Sequence, residues 1–145
     1  MALGIDPDVL QELSLLRADG ADAQLPPVGD VTTRRVNSRR MFDHLIAARA
    51  PLTGIATQRY QLATDDGATV ALTWYSREQS AQPGSAALYL HGGGMIMGLG
   101  ELGPFYDRAI RGYVADSGVP MLLVDYRVAP EFPHPTPVVD CYAAL

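Results

Sequence analysis

Ala87-Leu88-Tyr89-Leu90-His91-Gly92-Gly93-Gly94-Met95-Ile96-Met97-Gly98 runs from an apolar stretch straight into one histidine and three glycines. Its first four residues show no polar alternation, which predicts a strand covered on both faces, as strands of parallel sheets are. The glycines then stand at the carboxyl end of that strand, where open α/β sheets place ligands and chemistry. Three consecutive residues without Cβ let the backbone reach positive φ and turn its N–H groups onto a bound atom at close range. Such a loop can hold a negatively charged oxygen.

Some thirty residues on comes Asp125-Tyr126-Arg127-Val128-Ala129-Pro130-Glu131, and then Asp140-Cys141-Tyr142-Ala143-Ala144-Leu145. His91-Gly92-Gly93-Gly94 followed at this separation by these two segments resembles the hormone-sensitive-lipase group of α/β-hydrolase esterases and lipases, which carries an HGGG loop and a D-Y-R-L-A-P-E segment. The likeness is close from Ile55 to Leu145 and loose before that. It implies an α/β fold corresponding to the N-terminal part of an α/β-hydrolase: cap helices over residues 1–52, then an antiparallel hairpin and a parallel β-α-β unit over 53–145, with the sheet incomplete. It also implies hydrolysis of a small carboxylic ester through a serine acyl-enzyme, without metal or cofactor.

By the same resemblance the oxyanion donors from this chain are the N–H groups of Gly92 and Gly93, with a third from the residue after the nucleophilic serine. His91 is then an organiser of the loop, because the triad histidine of this fold comes last in chain order. Gly94 and Met95 would face the substrate. Met95 and Met97 stand where many members carry an aromatic residue, which alters the expected acyl pocket. Asp125, Arg127 and Glu131 are expected to be structural support, with Arg127 and Glu131 paired to hold the proline-rich segment behind the loop. No G-x-S-x-G occurs in the 145 residues. The chain alone is therefore expected to be inactive, the triad lying outside it, and to need a C-terminal half or another chain to complete its sheet. The alternative is a non-catalytic domain that seats an anionic ligand group on the glycine loop.

Composition bounds these readings. The chain has 145 residues, 48% hydrophobic, and a net charge of −5, which suits one globular domain and argues against non-specific affinity for nucleic acid or an anionic membrane. The first residues have neither a basic region nor a long apolar run, so no signal peptide or membrane anchor is expected. A single cysteine, Cys141, permits no internal disulfide and fits the cytoplasm. All eleven basic residues are Arg.

Along the chain, Asp6-Pro7 predicts a helix start with Asp6 as N-cap, Val9, Leu10, Leu13 and Leu16 as its apolar stripe, and Gly20 as its end. Met41, Phe42, Leu45 and Ile46 predict a second helix ending before Pro51. Its Arg34, Arg35, Arg39 and Arg40 read first as a solvated face, with an acidic partner or nucleic acid as the other reading. Tyr60 and Leu62, the turn Asp65-Asp66-Gly67, and Val70, Leu72 and Trp74 predict an antiparallel hairpin. Paired carboxylates at Asp65 and Asp66 without a third ligand mark a turn rather than a metal site. Tyr106, Ala109, Ile110, Tyr113 and Val114 predict a helical face, Asp107 and Arg111 an i,i+4 pair on the other side, and Gly118 the helix end. Pro120 to Val124 predicts a second parallel strand, and Thr136 the N-cap of a last helix with Pro137 as its first residue.

Two further motifs compete. Gly98-Leu99-Gly100-Glu101-Leu102-Gly103 fits the dinucleotide pattern G-x-G-x-x-G, with Asp125 beyond it as an acidic partner. That fingerprint needs its first glycine directly after the strand, and here a histidine and three glycines intervene. Asp116-Ser117-Gly118 resembles part of a nucleophile elbow but sits between a helix and a strand, the reverse of the required order. His44 and His134 read as surface histidines and Cys141 as a packed apolar residue.

Overall fold

The computed structural model describes residues 4–18, 26–47, 49–79 and 84–145. The elements are α1 (Pro7–Ala18), α2 (Val31–Ala47), β1 (Ile55–Ala63), β2 (Thr69–Arg77), β3 (Ala87–Leu90), α3 (Leu99–Ser117), β4 (Met121–Asp125) and α4 (Thr136–Ala143). Among the described residues the strands form one sheet in the order β1-β2-β4-β3. β1 and β2 form the expected hairpin, antiparallel and in register from Ile55 opposite Arg77 to Ala63 opposite Thr69. β2 runs antiparallel to β4, and β3 runs parallel to β4 with α3 as the crossover.

Alternation along each strand sends side chains to opposite faces. On one face Tyr75 and Leu123 pack with Ile55 against Ile110 and Val114 of α3, with Tyr89 at the margin. On the other, Val70, Leu72 and Val124 pack with Tyr126, and Leu88, Leu122 and Cys141 join them. α2 lies on α3, where the Phe42 and Phe105 rings meet at 4.5 Å between centroids. Asp6 caps α1 through the Asp8 N–H at 2.8 Å, and Gly118 ends α3 in the left-handed region at φ 73°. Ser117 is a helix-end residue, its hydroxyl donating to the Tyr113 carbonyl.

The structure differs from expectation in four places. β3 is only half-buried and Leu90 is 48% exposed, because β3 is the last strand of the sheet and has a neighbour only in β4. Apolar runs report what a side chain prefers and not what covers it. Thr136 is the first helical residue of α4, with Pro135 at the N-cap position and no side-chain cap. Asp107 and Arg111 do pair, at 2.8 Å, but they face the sheet margin, where Tyr75 donates to Asp107 and Arg111 donates to the Ile55 carbonyl. Of the α1 stripe, Val9 and Leu10 are half-exposed. The Leu13 and Leu16 side chains and Gly20 lie outside the described residues.

Candidate active site: the glycine loop and its supports

Residues 91–98 connect β3 to α3 at the carboxyl end of the sheet. Gly93, Gly94 and Met95 take φ of 140°, 62° and 58° in succession. Only the last of these strains an L side chain, at about 1–2 kcal/mol. The turn closes on itself: the Gly93 carbonyl accepts from the Ile96 and Met97 N–H groups at 3.2 and 3.1 Å. A Cβ at Gly93 would stand 2.5 Å from the Met97 carbonyl oxygen. That contact, rather than backbone freedom alone, requires glycine there.

His91 is 3% exposed. Its ring stacks on Tyr126 at 4.1 Å and 7°, and the Tyr126 hydroxyl donates to the His91 carbonyl at 2.5 Å. The Gly92 carbonyl, 2.9 Å from Nδ1, can only accept, so Nδ1 carries the proton. Nε2 is buried with no hydrogen-bond partner among the described residues. Burial lowers the His91 pKa, opposed by the Gly92 carbonyl and by the charge of Asp125. The ring is in contact with Tyr126, Tyr106 and the Gly92 carbonyl.

The two expected oxyanion donors differ. The Gly92 N–H donates to the Tyr106 hydroxyl at 2.9 Å and is already engaged. The N–H groups of Gly93 and Gly94 have no acceptor among the described residues. Met95 is 48% exposed, beside them.

Behind the loop stands the segment after β4. The Ala129 N–H donates to the Met95 carbonyl at 2.8 Å. Arg127 and Glu131 were expected to pair with each other, and they do not. Arg127 forks onto Asp140, which is fully buried: its backbone N–H and Nε reach one carboxylate oxygen at 3.0 and 2.9 Å, and a terminal nitrogen reaches the other at 2.7 Å. Its remaining terminal nitrogen takes Asp66 at 2.7 Å, and Phe132 lies under the guanidinium. Asp66 thus serves both the hairpin turn, through Thr64, and this network. These hydrogen bonds hold its carboxyl far below the usual carboxylate range.

Glu131 pairs instead with Arg35 of α2, both terminal nitrogens of the arginine lying 2.7 Å from the carboxylate. This pair lowers the Glu131 pKa to about 2. Arg35 is only 19% exposed, so it is not part of a solvated face, whereas Arg39 is. Asp125 is half-buried and its pKa is raised by burial. The Gly98 N–H donates to the Glu101 carboxylate at 3.0 Å. The helix terminus that carries Gly98, Gly100 and Gly103 is therefore already served by the Glu101 carboxylate. It also begins eight residues after β3 ends. Both facts oppose a bound pyrophosphate. Among the described residues no group of three or more His, Cys, Asp or Glu could hold a metal, and no helix is long and apolar enough to cross a membrane.

Arg35, Tyr106, Tyr126 and Asp140 are the supports that motif reading did not assign. Tyr126 and Asp140 lay inside quoted segments, but their partners are 35 and 13 residues away. The partner of Arg35 is 96 residues away.

Comparison with known proteins bears on the fold and the family. A family model described as an alpha/beta hydrolase fold matches residues 87–145. An ethyl acetate hydrolase of Pseudomonas putida is 31% identical over 98% of this chain and 44% of its own length. Hormone-sensitive lipase of Homo sapiens is 25% identical over 49% of this chain and 6% of its own length. The solved structure of a hyperthermophilic esterase from the archaeon Pyrobaculum calidifontis superposes with a TM-score of 0.74 at 28% identity, covering 98% of this chain and 42% of that one. The chain thus spans less than half the length of these relatives.

Proposed function

Since these 145 residues correspond to the N-terminal portion of an α/β-hydrolase of the hormone-sensitive-lipase type, we propose that the chain supplies the oxyanion loop of a serine hydrolase acting on small carboxylic esters. The observation that carries this reading is the left-handed turn at Gly93 and Gly94, with two N–H groups that have no acceptor among the described residues at the carboxyl end of β3. When a serine attacks an ester carbonyl, the oxygen gains a negative charge, and preorganised N–H donors stabilise it by about 3–4 kcal/mol each. We assign this to Gly93, with Gly94 beside it. Gly92 would join only if the Tyr106 hydroxyl released its N–H.

The remaining chemistry belongs to residues outside these 145: a serine at a G-x-S-x-G elbow, an acid that orients the histidine, and a histidine that takes the serine proton and returns it to the leaving alcohol. His91 organises the loop, and residues up to 52 contribute to a cap over the site. The strand that carries the serine would pair with the open side of β3.

Extending the chain through its downstream reading frame tests this. The frame is expected to encode G-x-S-x-G within a few tens of residues, and the extended protein to release p-nitrophenol from short esters in a burst that is lost when that serine is replaced. Residues 1–145 alone should give neither burst nor turnover. A frame without the motif, or an extended protein without a burst, overturns the proposal and favours a domain that only binds.

A further inference from the structure

One guanidinium joins three parts of the chain that are far apart in sequence. From α2, Arg35 Nε donates to the Ile96 carbonyl at 2.7 Å, one terminal nitrogen reaches the Ala129 carbonyl at 3.0 Å, and both terminal nitrogens hold the Glu131 carboxylate at 2.7 Å. The two carbonyls lie on either side of the hydrogen bond from the Ala129 N–H to the Met95 carbonyl, so the arginine clamps the exit of the glycine loop onto the segment after β4. Met95 sits within that clamp at φ 58°. A non-glycine residue keeps such a conformation only when its surroundings over-determine it.

We propose that Arg35 is a positioning residue for the oxyanion loop: it fixes the Ile96 carbonyl and thereby the turn that aims the Gly93 and Gly94 N–H groups, and so couples the cap helix α2 to the site. The proposal rests on the oxyanion reading for its purpose, though not for its geometry. The mechanism is local. Without the guanidinium the Ile96 and Ala129 carbonyls lose their shared donor, and Met95 can relax toward negative φ. The Ile96 carbonyl shares its peptide plane with the Met97 N–H, which donates to the Gly93 carbonyl, and that carbonyl shares its plane with the Gly94 N–H, so the disturbance reaches the donor. A lysine cannot substitute, because a single ammonium does not reach two carbonyls and both carboxylate oxygens with the fixed fork of a guanidinium.

The turn has its own reporters, the Ile96 and Met97 amides that bond to the Gly93 carbonyl. Amide hydrogen exchange on the extended protein is expected to accelerate about tenfold or more at these two positions in Arg35→Met and Arg35→Lys, with the β1–β2 ladder unchanged. Glu131→Gln keeps the carbonyl contacts and should change them by less than about threefold. In the extended protein Arg35→Lys should lower kcat about tenfold or more while KM stays within about threefold. Uniform acceleration across the ladder would reduce Arg35 to a general stabilising contact, and an undisturbed Ile96 and Met97 would remove the proposal. If Glu131→Gln alone reproduced the whole effect, the ion pair and not the carbonyl clamp would be responsible, which also overturns it. Exchange reads the turn whether or not the extended protein hydrolyses esters, so failure of the esterase reading is seen separately.

Discussion

Gly93 and Gly103 are both glycines near the loop, yet a Cβ meets very different surroundings at each. At Gly93 it would be 2.5 Å from the Met97 carbonyl oxygen, while at Gly103, inside α3, its nearest neighbour would be Leu99 Cβ at 3.9 Å. On the proposed oxyanion assignment, Gly93→Ala in the extended protein should therefore lower kcat by about 10²-fold or more with a smaller change in KM, since an oxyanion donor acts mainly in the transition state. Gly103→Ala should leave kcat unchanged and raise stability by up to about 1 kcal/mol, because alanine is the better helix former. Steady-state kinetics and thermal unfolding of the two variants check both statements. His91 makes a second residue-scale prediction. Burial lowers its pKa in the folded chain below the ordinary value of about 6.5. Its contribution to stability is thus full above that value and falls as pH drops through it, because the unfolded chain takes up the proton first. Asp125, whose pKa is raised by burial, acts in the opposite direction at lower pH. Denaturant midpoints of the extended protein between pH 7.5 and 5.5, compared with those of His91→Phe, isolate the histidine term. The variant keeps a ring against Tyr126 but cannot titrate, and its profile should be flatter in this window.

At the scale of elements, the loop after β4 and helix α4 are locked together by Arg127 on the buried Asp140. Removing one member of a buried pair costs about 3–5 kcal/mol. Asp140→Ala should fall at the lower end, since Asp66 remains to hold Arg127. Thermal unfolding of the extended protein measures the loss, and a change within error would mean that α4 is held by its apolar contacts alone. What was legible in the sequence divides along the same line. The hairpin, the crossover helix with Gly118 at its end, and the position of the glycine loop follow from patterns a few residues long, and each is where the pattern puts it. Charge partners do not. Arg127 and Glu131 are four residues apart and of opposite sign, so a local pairing was the natural expectation, yet the chain there is a proline-fixed turn and not a helix. Its backbone sends Arg127 toward Asp140 and Glu131 toward α2. Gly92 is the same kind of case: the motif marks it as a donor, and only the approach of Tyr106 from the first turns of α3 reveals that its N–H is engaged.

For the whole molecule the open side of β3 decides behaviour. β3 pairs with β4 on one side and, among the described residues, with nothing on the other. Leu90 is 48% exposed at its end, and on and after α4 Val138, Val139, Tyr142 and Leu145 are 47, 48, 78 and 87% exposed. Unpaired N–H and C=O groups on an apolar strand template association with another strand. Apolar area left in water forgoes about 25 cal/mol per Å² of the burial that stabilises a domain, against a total margin of only about 5–15 kcal/mol. Residues 1–145 expressed alone should accordingly self-associate or unfold over a broad range, as read by size-exclusion profile and thermal scan. Leu90→Lys places a charge at the open strand and should reduce association without tightening the thermal transition, because it blunts the edge but covers no apolar face. Supplying the downstream segment in trans should do both, since it would pair the edge and cover the face together. A soluble monomer with a sharp cooperative transition would show that the four-stranded sheet suffices, and the chain would then have to be considered a self-contained binding domain rather than part of a larger hydrolase.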